Sequence, residues 1–541
     1  MTLFDAIFTK EPSETPAVLY GQRAITYSQL RKQTLSMAEV LQPLNMASGD
    51  RVAILLGDSP EFIVTFISIC SIGAIAVPIN IGLPVQQQHA ILRDCTATVA
   101  IIEADLCSKL LTSAPEILHL FKEVIVISRA ERDEMELPAL EGNAGSTKIH
   151  LLRASELAAK HPADLSFPAL NEEEPALILY TSGSTGEPKG AVHSPSDIFY
   201  TNETYCRQVL RLRAGDRLFS SSRLPFAYGL GNSLTFPLLN GVTTVLCHEK
   251  PTVEVITKIF RDFSPTVFFA VPVVYNLLLE DRGFVDLNCS SLRLCISAGE
   301  ALPASLGENW EKTFSVTLLD GIGSTEMMHM FMSNQEGEVR YGSSGKLLKG
   351  YQAQLRDNYD ELLPAGVEGH LWVKGKSAAS GYWQRPEASA RTFVDGWVRT
   401  GDLYRCDSDG YWFHMGRSDD CFKSSGQWVS PIEVEGVLLR HPQISRAAVV
   451  EDLDEHNLPC ACAFVICKDI EFNTGQLETQ LCELANAALP RFKRPRRYLF
   501  VKDLPYTTTG KIQRFRLRAE IRKIRSSIAK VEDHKLNVRF D

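Results

Sequence analysis

Short apolar, β-branched runs alternate with amphipathic stretches along most of this chain, and that alternation restricts its fold more than any other feature. RVAILLG (51–57), TVAIIEA (98–104), EVIVIS (123–128), TTVLCH (243–248) and TVFFAVP (266–272) read as strands buried on both faces. Between them lie segments such as 252–263, whose apolar residues recur at helical spacing. A strand apolar on both faces needs helices above and below it, so the pattern predicts α/β layers with largely parallel sheets. A chain of 541 residues exceeds what one core serves, and two or more domains are expected. From about residue 337, short strands broken by Gly, Asn and Asp turns predict a small β-barrel-like subdomain. The polar, turn-rich stretch GRSDDCFKSSGQWVSP (416–431) predicts a linker, with enough chain beyond it for a smaller α+β C-terminal domain. The expected division is 1–418 and 419–541.

Composition excludes several classes. A net charge of −9 argues against a nucleic-acid partner, because phosphate-backbone binding needs a basic surface. The Lys/Arg-rich segment 511–530 reads instead as a solvated amphipathic helix. FIVTFISICSIGAIAVPI (62–79) carries no charge over 18 residues, close to a membrane span. Ser68, Ser71, Gly73 and Pro78 interrupt it and Asp58 and Glu61 abut it, so a buried helix running into a buried strand is expected. Thirteen scattered cysteines, without a C-x-x-C pair, indicate neither a disulfide scaffold nor a zinc site and fit a reducing cytoplasm. The N-terminal stretch MTLFDAIFTKEPSETP lacks the basic and apolar regions of a secretory signal.

Chemistry enters at LILYTSGSTGEPKGAVHS (177–194). An apolar strand runs into a loop holding Gly183 and Gly186, the hydroxyls of Thr181, Ser182, Ser184 and Thr185, and then Lys189. Glycines let successive amides converge on one point, hydroxyls add donors and a lysine adds charge, which suits phosphate. The spacing differs from G-x-x-x-x-G-K-[ST], so the loop is another kind of phosphate cradle or a flexible surface turn.

Four more stretches follow in order: SAGEALP (297–303), DGIGSTEMMH (320–329), RTGDLY (399–404) with GRSDD (416–420), and LPYTTTGKIQR (504–514). Together with YTSGSTGEPKG they resemble the motifs of the adenylate-forming superfamily, which holds acyl- and aryl-CoA ligases, luciferases and the adenylation domains of peptide synthetases. The resemblance covers nearly the whole chain. It implies an enzyme that activates a carboxylic acid with ATP and Mg²⁺ and passes the acyl group to a thiol.

By that resemblance Thr181, Ser182, Ser184, Thr185 and Lys189 hold the outer phosphates, Thr325 donates to the α-phosphate and Glu326 coordinates Mg²⁺. Gly299, Glu300 and Ala301 flank the adenine, Asp320 joins the cofactor-binding set, Asp402 accepts the ribose hydroxyls, and Arg417 reaches ribose or phosphate. Lys511 neutralises the repulsion between carboxylate and α-phosphate, as charge build-up at phosphorus requires. Lys511 belongs to the C-terminal domain, which in the superfamily rotates between two poses. Asp419 is then the hinge, and Gly426 lines the channel for the pantetheine arm of coenzyme A.

LPFAYGLGNSLTF (224–236) is similar to the corresponding segment of benzoate-type CoA ligases. Relatives that activate α-amino acids place an aspartate where Ala227 stands, and a buried ammonium without it would be costly. Ala227, Tyr228, Ile322 and Gly323 are expected to form a flat apolar slot for an aromatic acid. His329 is either the polar group in reach or a packing histidine. Benzoate, hydroxybenzoate and anthranilate remain open as substrates, as does a medium- or long-chain acid. Free coenzyme A is the expected acceptor, since no carrier module follows residue 541, with a separate carrier protein as the alternative. Monomer and homodimer both remain open, and a non-catalytic nucleotide-binding protein is the outlying reading.

Overall fold

The predicted buried runs become strands, four of the five with their ends trimmed. In this computed structural model, which describes residues 2–9, 13–128, 142–144, 147–159, 167–182, 188–425, 427–454, 456–468, 474–506 and 512–528, they are Arg51–Leu55, Val99–Glu103, Glu123–Ser128, Thr243–Leu246 and Val267–Ala270. They divide between two nine-stranded sheets. In one, Arg51–Leu55 pairs in parallel with Ile75–Pro78 and Val99–Glu103, and Val99–Glu103 with Glu123–Ser128. In the other, Thr243–Leu246, Arg217–Ser220, Val267–Ala270, Leu294–Ser297 and Leu318–Gly323 run parallel in that order. Pro16–Tyr20 extends this sheet parallel to Thr243–Leu246, and antiparallel strands follow at either end, Arg23–Thr26 beyond Pro16–Tyr20 and Met330–Ser333 beyond Leu318–Gly323.

The uncharged segment 62–79 is a helix, Pro60–Ser71, followed by the strand Ile75–Pro78. Ser59 caps the helix by accepting from the Phe62 amide at 3.3 Å, Pro60 occupies the first turn, and Gly73 at φ +88° turns the chain out of it. Every residue of the helix is buried, in a core that unites apolar residues of both large sheets. Its interrupting serines are paired internally: Ser68 Oγ donates to the carbonyls of Val64 and Thr34, each at 2.8 Å, and Ser71 Oγ to that of Ile67 at 2.7 Å. No helix among the described residues is long and apolar enough to cross a membrane.

The third sheet has five antiparallel strands, Gln352–Arg356, Gly369–Lys374, Trp397–Cys406, Phe393–Val394 and Trp412–Arg417. It is the expected small β subdomain. Beyond it, the supposed linker is more ordered than its composition suggested: Phe422–Ser424 and Gln427–Val429 pair as a hairpin.

The smaller C-terminal domain is built on Ile444–Leu453, Pro459–Cys467 and Pro495–Phe500. Period-two alternation separates its faces. Val449, Ala461, Ala463 and Val465 pack with the helices Pro431–Leu438 and Thr474–Ala488 on one side. Ala448, Val450, Cys462 and Phe464 pack with Leu517, Ile521 and Ile524 of Arg514–Ile528 on the other. Those three helix positions form a single stripe, so the basic C-terminal segment is amphipathic as expected.

Candidate active site

The crevice outside the carboxyl ends of parallel strands is where α/β sheets place their ligands. Four predicted segments leave this edge of the same sheet: 224–236 after Arg217–Ser220, 299–301 after Leu294–Ser297, and both 322–323 and 325–326 at the end of Leu318–Gly323. The glycine- and hydroxyl-rich loop leaves the other large sheet and returns as a strand. Leu177–Ser182 and Pro188–His193 are antiparallel, with Thr181 opposite Lys189. Pro188 is tolerated because it is the first residue of its strand. Ser184 and Thr185 at the tip, the Ser182 side chain, Gly426 and Lys511 lie outside the described residues.

Side chains that no motif pointed to join the two sheets. His193, buried at the end of the returning strand, contacts Asp197 Oδ2 through Nδ1 and the Thr325 carbonyl through Nε2, both at 2.7 Å. Tyr382 comes from the two-residue strand Gly381–Tyr382, which pairs with Pro188–His193. Its hydroxyl donates to Glu326 Oε1 at 2.7 Å, and Lys189 Nζ stands 5.5 Å from its ring centre. Burial and the Glu326 carboxylate together push the Tyr382 phenol far above its ordinary range, so it remains a donor. The Glu326 backbone is fixed as well, its carbonyl accepting from the Ala379 amide at 2.8 Å. His193 lay inside the quoted loop but carried no signal of its role, and Tyr382 carried no signal at all.

Asp402 and Arg417 face each other across neighbouring strands, with Arg417 Nη1 3.3 Å from Asp402 Oδ1. The Asp402 charge raises the guanidinium pKa above its usual value, and Glu326 acts on it in the same sense. Thr325–Glu326 and Asp402–Arg417 therefore share one electrostatic neighbourhood. Gly401 is required between them: φ is +77°, and a Cβ there would lie 2.7 Å from Arg417 Nη2. Gly299, also at positive φ (+92°), leads into Glu300 and Ala301. Glu300 acts electrostatically on Tyr506 and Arg514 of the C-terminal domain. Asp320 is buried beside this edge, its carboxyl pushed well above the carboxylate range by burial, and its Oδ1 has no hydrogen-bond partner.

Next to the Thr325–Glu326 turn lies an aromatic cage. The His329 ring centre is 4.7 Å from Phe236, 5.0 Å from Tyr205 and 5.6 Å from Tyr228. Ile322 packs in the same cluster as Tyr228, and Ala227 is buried at the start of the short helix Ala227–Leu230. Gly323 must be glycine, since a Cβ would stand 2.5 Å from the His329 carbonyl oxygen. His329 is 3% exposed, and its ring nitrogens make no well-formed hydrogen bond, the Tyr228 backbone being a weak partner. Burial lowers its pKa to about 3, so the ring is neutral.

Residues 4–383 match the family described as AMP-binding enzyme, and residues 433–511 match the AMP-binding enzyme C-terminal domain. The chain belongs to the AMP-binding enzyme family. Benzoate–CoA ligase of Thauera aromatica is 39% identical over 505 residues, covering 91% of this chain and 90% of that protein. 4-Hydroxybenzoate–CoA/benzoate–CoA ligase of Rhodopseudomonas palustris is 34% identical, covering 93% and 90%. Among solved structures, the anthranilate CoA ligase AuaEII in complex with anthranoyl-AMP superposes with a TM-score of 0.89 at 34% identity, covering 97% of this chain and 98% of that one. These AMP-binding enzymes share the architecture described above, a large N-terminal and a smaller C-terminal domain.

Among the described residues no group of three or more His, Cys, Asp or Glu side chains is arranged to hold a metal ion. One part-buried carboxylate, Glu326, oriented by a phenol, does not make a protein cage. It fits a Mg²⁺ ion that takes its other ligands from nucleotide phosphate and water.

Proposed function

We propose that this protein is an ATP-dependent aryl-carboxylate–CoA ligase. In the first step a carboxylate oxygen of the aromatic acid attacks the α-phosphorus of ATP. Pyrophosphate leaves and an aryl-adenylate remains. In the second step the thiol of coenzyme A, losing its proton, attacks the acyl carbon and AMP leaves with the electron pair. The observation that carries this reading is the placement of an aromatic cage beside the turn Thr325–Glu326, at a sheet edge that also faces Asp402–Arg417. Similarity to ligases named for benzoate, hydroxybenzoate and anthranilate supports it.

Each residue then has a task. Thr181, Ser182, Ser184, Thr185 and Lys189 grip the outer phosphates from the hairpin loop. Thr325, its carbonyl tied to His193, donates to the α-phosphate. Asp402 accepts from the ribose hydroxyls, with Arg417 beside it. Gly299, Glu300 and Ala301 flank the adenine, with the buried Asp320 carboxyl beside them. Glu326, held by Tyr382, would take Mg²⁺, which supplies positive charge against the phosphates when bound. Ala227, Tyr228, Ile322, Gly323 and His329 hold the acid.

The domain boundary falls at 418/419, and Lys511 reaches the site from the smaller domain. Asp419 is the pivot, and Gly426 leaves room for the pantetheine arm. A carrier-bound thiol is the alternative acceptor.

The test is ATP–pyrophosphate exchange with the full-length protein across benzoate, hydroxybenzoates, 2-aminobenzoate and fatty acids, followed by thioester formation with coenzyme A. Exchange driven by the aromatic acids supports the reading. Exchange with long-chain acids alone, or none at all, overturns it.

A further inference from the structure

Around His329 the protein buries more hydrogen-bonding capacity than a plain aromatic ring can use. Tyr205 is fully buried, with its ring centre 5.0 Å from His329, and its hydroxyl has no partner. Asn232 is fully buried too, and neither its amide nitrogen nor its oxygen has a well-formed hydrogen bond. It neighbours Gly231, whose Cβ, if present, would run into the His329 ring, and its side chain makes only a loose hydrogen bond, to the Tyr228 hydroxyl. That hydroxyl already donates to the Ile296 carbonyl at 3.2 Å.

Unpaired buried polar groups are rare in folded proteins, and those present call for a ligand or an ordered water. The backbone carrying them is unusual as well. Tyr205 lies in a π-helical segment, Asn202–Leu210, and Asn232 in a second one, Gly231–Thr235. Wide turns of this kind are uncommon and recur at functional sites. Here both present a polar side chain to one cage.

We propose that Tyr205 and Asn232 form a polar end-wall of the acid pocket, which selects aromatic acids carrying a hydroxyl or amino substituent over unsubstituted benzoate. The inference rests on the aryl-acid reading above and narrows it. The similar ligases are named for both kinds of acid and do not decide between them. Tyr205 and Asn232 bear on the choice directly. Between them they offer donors and an acceptor, so either substituent finds a match. An acid without one leaves these groups unsatisfied at the moment the pocket is sealed, and sites built to hydrogen-bond a substituent reject such an analogue strongly.

The experiment compares kcat/KM for benzoate, 2-, 3- and 4-hydroxybenzoate and 2-aminobenzoate in the full-length protein and in Tyr205→Phe and Asn232→Leu. Phenylalanine keeps the ring that packs on His329, so the first variant retains the cage. The wild type is expected to favour at least one substituted acid over benzoate by about tenfold or more. Tyr205→Phe or Asn232→Leu then reduces that preference by about tenfold, with the loss in kcat/KM falling on the substituted acids more than on benzoate. Equal kcat/KM for benzoate and all substituted acids, or variants that lower every acid alike, would overturn the end-wall: a buried water then satisfies these groups. Neither result touches the aryl-acid reading, which fails separately, and takes the end-wall with it, if no aromatic acid drives exchange.

Discussion

At the scale of single residues, the site is governed by what burial does to polar groups. His329 shows this most clearly, because its pKa is held at about 3 against an ordinary 6.5. Between those values the unfolded chain binds a proton that the folded chain refuses, so this residue's contribution to stability is complete above pH 6.5 and is lost as pH falls. The slope is about 1.4 kcal/mol per pH unit down to about pH 3. Denaturation midpoints measured from pH 4 to pH 7 should therefore depend less steeply on pH in His329→Leu than in the wild type. Identical slopes would mean that the imidazole is solvated. Tyr382 acts through Glu326: Tyr382→Phe removes the hydroxyl that orients the carboxylate. We expect it to raise the Mg²⁺ concentration for half-maximal exchange by roughly tenfold. An unchanged requirement would separate Glu326 from the metal.

At the scale of elements, rigid pieces carry the functional side chains and buried ion pairs fix the pieces. Arg514 Nη2 stands 2.8 and 2.9 Å from the two Glu435 carboxylate oxygens, and Glu435 also accepts from the Val449 amide at 2.7 Å. This joins the start of the helix Arg514–Ile528, three residues after Lys511, to the helix Pro431–Leu438 and the edge strand Ile444–Leu453. Removing one partner leaves a charge buried, so Arg514→Met should cost about 3–5 kcal/mol in chemical denaturation, and adding Glu435→Gln should recover much of the loss. Additive losses would show that the pair is not coupled.

Elements of this kind were legible to different degrees. EVIVIS reads as a strand because it is apolar on both faces, and its bounds are those of the strand that forms. The helix of 62–79 was legible because its interrupting serines can pair with their own backbone. The return strand Pro188–His193 was not, since Pro and Gly are poor strand formers and only pairing with Leu177–Ser182 makes it one. Tyr205 was invisible as well. A buried tyrosine in an amphipathic stretch looks like packing until its hydroxyl is seen to lack a partner. The five motifs supplied most of the candidate site. Their connections through His193 and Tyr382 needed the folded chain.

At the scale of the whole molecule, adjacent carboxylates lie at the proposed boundary between the two domains. Asp419 lies 3.7 Å from Arg417, at the end of the strand Trp412–Arg417 of the larger domain. Asp420 is held at 3.1 Å by Arg518 and at 3.7 Å by Arg514, both on the helix Arg514–Ile528 of the smaller one. Within the smaller domain Tyr506 bridges to Ile512 and Gln513 donates to the Pro505 carbonyl at 2.8 Å, and in the proposed reading rotation about the bonds between these anchors moves that domain as a whole. In the proposed reading the large domain binds acid and nucleotide, and the small one brings the cation that lets them react. Measuring the two half-reactions separately in Lys511→Ala tests this division most directly. Formation of aryl-adenylate should fall by two orders of magnitude or more, while transfer from supplied aryl-adenylate to coenzyme A stays within a few-fold of wild type. Equal loss in both steps, or unimpaired adenylate formation, would contradict it.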